Sequence, residues 1–580
     1  MSTENNQDRP ADLSPSQREE AWRRLSEEEF DLVVIGGGVT GVGAALDAAT
    51  RGLRVALVEA RDFASGTSSR SSKMFHGGLR YLEQLEFGLV REALRERELS
   101  LSLLAPHLVK PLPFLFPLTK RVWERPYLAA GLFLYDRMGG AKSVPGQRHV
   151  TRAGALRIAP GLKRSALVGG IRYYDTVVDD ARHTMTLART AAQYGAVVRT
   201  STQAVGFVKE GDRVIGVKLR DSETGATTTV ATQSVINAAG VWTDEVQKLS
   251  GQRGHFTVRA SKGVHIVIPR DRIVSETAII LRTPTSVLFV IPWETHWIIG
   301  TTDTDWNLDL AHPAATRADI DFILERVNQE LVTQLTHDDI EGVYAGLRPL
   351  LAGEDESTSA LSREHAVAVV APGLISIAGG KYTTYRVMGA DAVDAAADFI
   401  PDRVGESVTE RVPLLGADGY FALINQCEHL GQQYGLHPYR VRRLLNRYGS
   451  LLDEVLAAAV DDPSLLNPLG AAPQYLRVEV VYAAASEGAL HLEDVMARRT
   501  RIAIEYSHRG VDCAREAAEL MAPILGWSDE RREWEIENYC ARVAAEIASQ
   551  RQPDDEAADA LRVAAPEARR EILEPVPAPE

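Results

Sequence analysis

The pattern of apolar and polar positions divides the chain into three parts. From Phe30 an apolar run, "FDLVVIG", is followed by a glycine turn, a helical pattern and a second apolar run ending in Glu59. Continuous apolar runs bounded by glycine are typical of buried parallel strands. Short β-branched segments with turn signals fill residues around 200–240 and 255–303, and residues 313–335 have a helical pattern. After about residue 405 the apolar positions recur with helical period, which predicts a separate helical domain.

The first apolar run carries the strongest chemical signal. Gly36, Gly38 and Gly41 form GxGxxG, in which the glycines allow a tight turn, close approach of a pyrophosphate and close helix–strand packing. The pyrophosphate would then rest on the helix N-terminus. Glu59 lies 18 residues after Gly41, where a carboxylate accepts hydrogen bonds from ribose hydroxyls. These features predict a dinucleotide site but do not by themselves separate NAD from FAD.

Two later segments favour a flavin dinucleotide. "VINAAGVW", which contains Gly240, and "ISIAGGKYTTYR", which contains Gly379 and Gly380, are each an apolar strand that runs into a small-residue turn. Distant segments of this kind return to cover the flavin half of a long dinucleotide. The sequence contains no second GxGxxG, so we expect electrons to come directly from a bound substrate rather than from a nicotinamide.

The stretch "SSKMFHGGLRYLE" is unusually rich in hydrogen-bonding groups for a simple connection. Gly77 and Gly78 would let the backbone pass close to a ring system, because glycine has no side chain. We expect the residues before them to contact the cofactor and the titratable residues around them to face the substrate. The former are Ser71, Ser72 and Lys73; the latter are His76, Arg80 and Tyr81.

Composition narrows the function classes. The 580 residues carry a formal charge of −15, which argues against general nucleic-acid binding. The three cysteines, Cys427, Cys513 and Cys540, lack the spacing of a disulfide framework or a zinc site, so a reducing compartment is expected and no metal. The N-terminus has no apolar signal region, and no stretch approaches the roughly 20 apolar residues of a membrane span. We therefore expect a cytoplasmic protein with at most peripheral membrane contact.

One segment of this acidic chain is strongly basic. Residues 106–174 hold twelve Lys or Arg but only two acids, Glu124 and Asp136, with aromatic residues interleaved. Basic residues mixed with amphipathic aromatics suit an anionic bilayer surface. The alternative is a surface that steers an anionic substrate, with part of the segment in the core.

Several motifs in one order resemble the FAD-dependent glycerol-3-phosphate dehydrogenases, peripheral membrane enzymes that reduce quinone. The resemblance covers roughly residues 28 to 545. Its motifs are "IGGGVTGVGAALDAATRGL", "TSSRSSKMFHGGLRYLE", "NAAGVW", "KGVHIVIP", "IIGTTDTD", "AGLRPL", "GGKYTTYR", "RLLNRYGS" and "EDVMARRTR". Relatives often carry Thr at Ala239 and Pro at Val241, a departure that touches cofactor binding at most.

The resemblance implies an α/β FAD-binding fold of the glycine/D-amino-acid oxidase type. We expect a tail and short helix over 1–27, with Ser14 as N-cap, an FAD-dependent oxidoreductase domain over 28–405, a helical domain over 406–550 and a disordered acidic tail over 551–580. Within the oxidoreductase domain, FAD-binding segments lie near 28–105, 165–255 and 360–400, and a β-rich substrate domain lies near 256–360. A location on the inner face of the cell membrane is implied, and a homodimer is left open.

The resemblance also implies the substrate pocket. Its residues are His76, Arg80, Tyr81, His265, Arg348, Arg363, Lys381 and Thr384. Alcohol oxidation needs a base while the hydride moves to flavin, and His76 is our first choice, with His265 as the competitor. Arg348 is predicted to hold a phosphate or alkoxide, and Arg363 is predicted to help unless it is a solvated loop charge. Lys381 would place its charge near the flavin or hold the phosphate.

Three other functions remain open from the sequence. A glycerol-3-phosphate oxidase shares the fold and passes electrons to oxygen. A flavin-binding sensor without turnover would not need the His, Arg and Lys set. Another member of the glycine/D-amino-acid oxidase superfamily would bind a carboxylate and would lack the "EDVMARRTR" domain.

Overall fold

The computed structural model describes residues 11–78, 86–120, 124–138, 143–251, 256–283, 287–351 and 365–569. The predicted site residues Arg80, Tyr81 and Arg363 lie outside these ranges. Ser14 caps the first helix, Pro15–Glu27, as expected, because its hydroxyl accepts the N–H of Gln17. No helix among the described residues is both long enough and apolar enough to cross a membrane.

The predicted βαβ unit forms the centre of an eight-stranded sheet, as counted over the described residues. Phe30–Ile35 lies between Val55–Val58 and Thr227–Asn237 and is parallel to both. Three further strands extend the sheet at its two edges and a hairpin completes it. The edge strands are Val197–Arg199, Leu374–Gly379 and His365–Ala371, and the hairpin strands are Thr202–Glu210 and Arg213–Asp221.

Helices cover both faces of this sheet, which explains why its central strands are apolar throughout. Val39–Thr50, Asp180–Gln193 and Tyr385–Ala397 share one apolar core with the strands. On the other face, Pro15–Glu27 packs Ala21 and Leu25 against Phe30. The carboxyl ends of the parallel strands lie at the same edge of the sheet, which is where ligands bind in open α/β sheets.

A second, ten-stranded sheet, again counted over the described residues, forms the rest of the oxidoreductase domain. It extends beyond the predicted 256–360, because residues 74–177 also contribute strands. Its strands are Met74–Phe75, Lys110–Leu118, Arg148–Thr151, Gly169–Val177, Val258–Pro269, Ala278–Arg282, Val287–Trp293, His296–Gly300, Thr304–Trp306 and Gly342–Leu351. The predicted helix within 313–335 is Arg317–Glu330, which packs on this sheet. Phe87–Leu99 and Glu124–Met138 cover the other face, and Arg152–Ile158 and Thr243–Lys248 are shorter helices.

The region after residue 405 is mainly helical, as predicted. Its main helices are Cys427–Tyr434, Pro438–Tyr448, Arg477–Ser486, Val511–Leu525 and Asp529–Ser549. Shorter helical segments are Tyr420–Ile424, Leu452–Leu456, Ala458–Asp461, Asp494–Arg499 and Ile502–Glu505, and one hairpin joins Pro468–Leu469 to Ala472–Leu476.

The prediction of a disordered tail over 551–580 is wrong for residues 555–569. Asp555–Ala564 is a helix whose N-cap, Asp554, accepts the N–H of Ala557. Ala558 is fully buried against Trp306 and Leu347 of the oxidoreductase domain. The Pro, Ala and acidic composition suggested disorder, but a few well-placed apolar and ion-pairing residues are enough to dock the helix.

Candidate active site

A cavity of about 1440 Å³ is lined by residues of both sheets. It is larger than the roughly 300–1,000 Å³ of most small-molecule sites, so a dinucleotide and a small substrate fit together. Twelve of the residues predicted from the sequence line it. They are Gly36, Gly38, Glu59, Ser71, Ser72, His76, Gly240, His265, Arg348, Gly379, Gly380 and Lys381.

The glycine turn at one end of the cavity has the geometry that a dinucleotide requires. Gly36 has φ +117°, and a Cβ there would lie 2.5 Å from the carbonyl oxygen of Ala238. Gly41 does not line the cavity; a Cβ on it would collide with the carbonyl of Gly36, so its role is close helix–strand packing. The helix begins at Val39, whose N–H donates to the Ser68 hydroxyl at 2.9 Å.

Glu59 completes this end of the cavity. Its carboxylate accepts the N–H groups of Gly37 at 2.6 Å and Arg61 at 2.8 Å, which fixes it at the end of the second strand. Burial raises the pKa of Glu59, and the two N–H donors oppose that effect. A helix N-terminus, a glycine turn in which Gly36 leaves no room for a Cβ, and a fixed carboxylate together fit the pyrophosphate and ribose of FAD.

The serine loop joins the cofactor end to the second sheet. Ser72 Oγ lies 2.9 Å from His265 Nε2, and the hydroxyl of Tyr344 donates to the carbonyl of Ser71 at 3.0 Å. The His265 ring stacks on Tyr344 with centroids 4.7 Å apart. Burial, and then the neighbouring charges of Arg348 and Lys73, hold the pKa of His265 well below its usual range. His265 is therefore a neutral imidazole at physiological pH.

Arg348 is held in the cavity wall by the residues that follow the strand His296–Gly300. Its guanidinium donates to the Thr301 hydroxyl at 3.2 Å and the Thr302 carbonyl at 3.3 Å, and lies 3.3 Å from Asp303. A Cβ on Gly263 would lie 2.6 Å from Arg348 Nη2, so the glycine of "KGVHIVIP" makes room for this side chain. The cation remains partly accessible, with 23% of its side chain exposed.

His76 and Lys381 come from two segments that meet in the cavity. The backbone N–H of His76 donates to the Thr383 hydroxyl at 3.2 Å, which ties "FHGG" to "GGKYTT". Gly379 and Gly380 have φ +78° and +80°, a conformation that turns the chain just before Lys381. Gly77 packs tightly, since a Cβ there would lie 2.6 Å from the Tyr135 hydroxyl.

Two predicted contact residues lie outside the cavity lining. Lys73 was expected to contact the cofactor, but its ammonium is fully buried and pairs with Asp180 at 2.9 Å. Burial, and then the charge of Arg501, lower the pKa of Lys73, whereas Asp180 raises it. Thr384 is also buried, and its hydroxyl donates to the carbonyl of Lys381 at 3.3 Å. Both side chains support the loops that line the cavity.

Sequence reasoning missed Asp180, which organises the serine loop from behind. Its carboxylate accepts the Ser71 N–H at 3.0 Å and the Ser71 hydroxyl at 2.7 Å, and it also pairs with Arg501. The sequence did carry a signal, because the pair Asp179–Asp180 lies just after the strand Gly169–Val177 and starts a helix.

The helical domain contacts the loops that line the cofactor end of the cavity through its "ARRTR" motif. Arg498 and Arg499 both pair with the buried Asp62, which lies three residues after Glu59 in the chain. Arg499 is bidentate, with both contacts at 2.8 Å. Arg501 donates to the Ser69 carbonyl at 3.3 Å and pairs with Asp179 at 2.6 Å. The domain therefore braces two loops that line the cavity.

Family comparisons agree with this architecture. Residues 31–386 match the model of the FAD dependent oxidoreductase family, and residues 407–532 match the C-terminal domain of alpha-glycerophosphate oxidase. The class of protein is thus a flavin-dependent oxidoreductase with an added helical domain.

Individual relatives narrow the class. The chain is 75% identical over 567 residues to glycerol-3-phosphate dehydrogenase 2 of Mycobacterium tuberculosis, covering 98% of this chain and 97% of the relative. It is 38% identical to the mitochondrial glycerol-3-phosphate dehydrogenase of Mus musculus, covering 91% and 75%. The solved glycerol-3-phosphate dehydrogenase of Bacillus halodurans, complexed with FAD, aligns with a TM-score of 0.75 and 30% identity, covering 92% and 98%. The chain belongs to the FAD-dependent glycerol-3-phosphate dehydrogenase family.

Proposed function

We propose that this protein oxidises sn-glycerol 3-phosphate to dihydroxyacetone phosphate and passes the electrons to a membrane quinone. The proposal is supported by one observation above all: a single cavity joins a dinucleotide cradle to a fixed arginine cation and two histidines. Oxidation of a secondary alcohol that carries a phosphate needs a hydride acceptor, a base and a cation. FAD, when bound, supplies the ring that accepts the hydride.

Arg348 binds the substrate phosphate in this proposal. Its contacts with Thr301 and Thr302 fix the guanidinium before substrate arrives, so little side-chain order is lost on binding. Arg80, Tyr81 and Arg363 are proposed to complete the substrate site. Lys381 lines the same cavity. In this proposal it supplies a second cation to the substrate site.

His76 is proposed as the base that takes the hydroxyl proton. It lines the cavity and is not fully enclosed, so it can exchange the proton with solvent after each turnover. The competitor, His265, is stacked on Tyr344 and its Nε2 is engaged by Ser72. Burial strongly lowers the pKa of His265, which makes it a weak base. His265 is better suited to orienting the serine loop.

A quinone acceptor is supported by the apolar wall of the cavity. Phe116, Leu128, Ile280 and Phe289 line it, and Leu128 belongs to the helix Glu124–Met138. The same helix exposes Phe133 and Leu134 on the protein surface. One helix thus contributes an apolar residue to the cavity wall and apolar residues to the protein surface. This arrangement suits a lipid-soluble acceptor.

Peripheral attachment to the inner face of the cell membrane is proposed for this helix and its surroundings, not for the whole basic segment. Lys110 is half-buried, donates to the Pro106 carbonyl at 2.7 Å, and has its pKa lowered to about 7 by burial. Arg152 and Lys163 also donate to backbone carbonyls, of Leu167 and Asn328. Lys120, Arg137, Phe133 and Leu134 are exposed on the protein surface.

The test is anaerobic mixing of the FAD-loaded protein with glycerol 3-phosphate while the flavin absorbance is followed. Bleaching within the turnover time, with release of dihydroxyacetone phosphate, is expected. Absence of bleaching at millimolar substrate would remove the proposed reaction. Reoxidation by a water-soluble quinone much faster than by dissolved oxygen would separate the dehydrogenase from the oxidase.

A further inference from the structure

A second cavity lies behind the serine loop, where the oxidoreductase domain, the helical domain and the C-terminal helix meet. Its volume is about 110 Å³, and its lining includes side chains from all three parts of the chain. That is less than the ~150 Å³ cavity that admits benzene, so it admits a small ion but no nucleotide or sugar. None of its residues is used by the proposed reaction.

Arginines dominate the walls of this cavity. Arg498 and Arg501 also line it, but their charges are balanced by Asp62, Asp494, Asp179 and Asp180. Four other arginines lack such balance: Arg70, Arg509, Arg542 and Arg562. Two carboxylates belong to the lining, Glu493 and Glu546. Glu493 pairs with Arg498 and also raises the pKa of Arg70 and of Arg542, as Glu567 does for Arg542, so the four arginines share few carboxylates within the described residues.

Glu546 satisfies these cations incompletely. It lies 3.2 Å from Arg562 Nη1 but 4.0 Å from Arg509 Nη1. The Nη1–H of Arg542 donates to the Arg562 carbonyl at 2.8 Å. Arg542 forms no salt bridge with any described residue. Arg70 donates one N–H to the Ala311 carbonyl at 3.2 Å and likewise forms no salt bridge within the described residues.

Several guanidinium nitrogens are buried without a hydrogen-bond partner among the described residues. They are Arg509 Nη1, Arg542 Nη2 and Arg562 Nε. The three residues are only 5%, 7% and 7% exposed, so bulk water does not serve them. Burial, and then the positive charge of Arg562, lower the pKa of Arg70 to about 10. The same two causes, in the same order, lower the pKa of Arg542. Like charges are thus held close together in a place that a counter-anion would stabilise.

We propose that this cavity is a binding site for a small tetrahedral oxyanion, of which inorganic phosphate is the representative. Arg509, Arg542 and Arg562 would donate to its oxygens, and each comes from a different segment of the C-terminal region. Arg70 lines both this cavity and the cofactor cavity. The bound anion therefore holds the C-terminal helix and helical domain against the loop that carries Ser69 and Arg70.

Equilibrium dialysis of the FAD-loaded protein against labelled phosphate tests the site, with chloride used to keep ionic strength constant. All variants carry Arg348→Ala, which removes phosphate binding proposed for the active site. We expect one saturable phosphate per chain in this background. Adding Arg542→Gln should weaken that binding at least tenfold. The matched control Arg515→Gln, which removes an exposed arginine paired with Glu533, should leave it unchanged.

A variant that is expected to bind phosphate more tightly controls for loss of binding caused by misfolding. Glu546→Gln removes the carboxylate that competes with the anion, so phosphate should bind several-fold more tightly, which a damaged protein would not do. Absence of saturable binding in the Arg348→Ala background would overturn the site, as would equal affinity in the Arg542→Gln and Arg515→Gln proteins. These comparisons share one background, so they do not depend on what Arg348 binds.

Discussion

Arg348 is a cation held in the cavity wall by several polar neighbours. Among the described residues, Asp303 lies 3.3 Å from its guanidinium, and the Thr301 hydroxyl and the Thr302 carbonyl accept hydrogen bonds from it. Its side chain is 23% exposed, so an anionic ligand in the cavity can reach it. Arg499, by contrast, is buried and pairs with Asp62.

Replacing Arg348 with alanine should therefore remove substrate binding while FAD remains bound. Loss of a charge–phosphate contact in a partly enclosed site costs about 2–5 kcal/mol. The measurement is the substrate concentration that half-saturates flavin reduction in stopped flow. Arg259→Ala, which removes a partly exposed arginine of the strand Val258–Pro269 that pairs with Asp305, is the control. A half-saturation value within twofold of the wild type would show that Arg348 is structural.

The two histidines give a second prediction at this scale. His76→Ala should slow flavin reduction by roughly 10²–10⁴, the usual contribution of a general base. His265→Ala should slow it less, because His265 is neutral, stacked and engaged by Ser72. Both rates are measured at saturating substrate with FAD content checked. A slower His265 protein would reverse the assignment.

At the scale of elements, the helical domain acts as a brace for cofactor loops. Asp62 is fully buried and meets Arg498 and Arg499 together, which fixes the turn after Glu59. Breaking a buried pair leaves an uncompensated charge, at a cost of about 3–5 kcal/mol. The "ARRTR" segment thus contributes to the cofactor site although none of its side chains reaches the main cavity lining.

A second junction between the domains should depend on pH. His491 lies between Glu223 at 3.0 Å and Glu535 at 2.8 Å, with Arg531 and Arg569 nearby. Burial and Arg569 lower the pKa of His491, but the two carboxylates overcome them and raise it to about 9. Since the unfolded value is about 6.5, the native state binds more protons between these pH values. The stabilisation is full below about pH 6.5 and is lost as pH rises through 9.

Raising the pH from about 6.5 to 9.5 should therefore lower the free energy of unfolding by about 3 kcal/mol at most through this group. His491→Gln should lack this component, whereas His429→Gln, at an exposed position in the same domain, should keep it. Thermal unfolding of each protein across this pH range gives the measurement. Lys110, whose pKa is lowered to about 7, contributes equally in every variant. Parallel pH profiles for wild type and His491→Gln would contradict the prediction.

The sequence predicted those elements whose signal is local. GxGxxG, the terminal Glu59 and the helix started by Ser14 and Pro15 each depend on neighbours in the chain, and the structure contains them all. Lys73 was misjudged because its partner, Asp180, is 107 residues away. The C-terminal helix was missed because its docking depends on Trp306 and Leu347, which no local pattern could reveal.

For the whole molecule, the uneven charge distribution is its most informative feature. A chain of net charge −15 would be repelled by an anionic bilayer unless one face differed from the rest. The helix Glu124–Met138 exposes Phe133 at 55% and Leu134 at 39%, and the neighbouring helix Phe87–Leu99 exposes Phe87 at 43%. Arg137 lies over the Phe133 ring at 5.0 Å, which places a cation among these apolar side chains.

Membrane attachment should accordingly depend on both kinds of side chain. Changing Phe133 and Leu134 to serine should weaken binding to anionic vesicles about tenfold or more, because each inserted side chain contributes on the order of 1 kcal/mol. Lys120→Gln with Arg137→Gln should lose about 1 kcal/mol per charge, and raised salt should mimic that loss. Vesicle co-sedimentation gives the affinities. Phe421→Ser, which removes an aromatic residue exposed at 59% in the helical domain, is the control. Activity with a soluble dye should persist in every variant, while activity with a lipid-embedded quinone should fall in the variants that lose vesicle binding. Unchanged vesicle binding of the protein with serine at positions 133 and 134 would show that this surface contacts another partner.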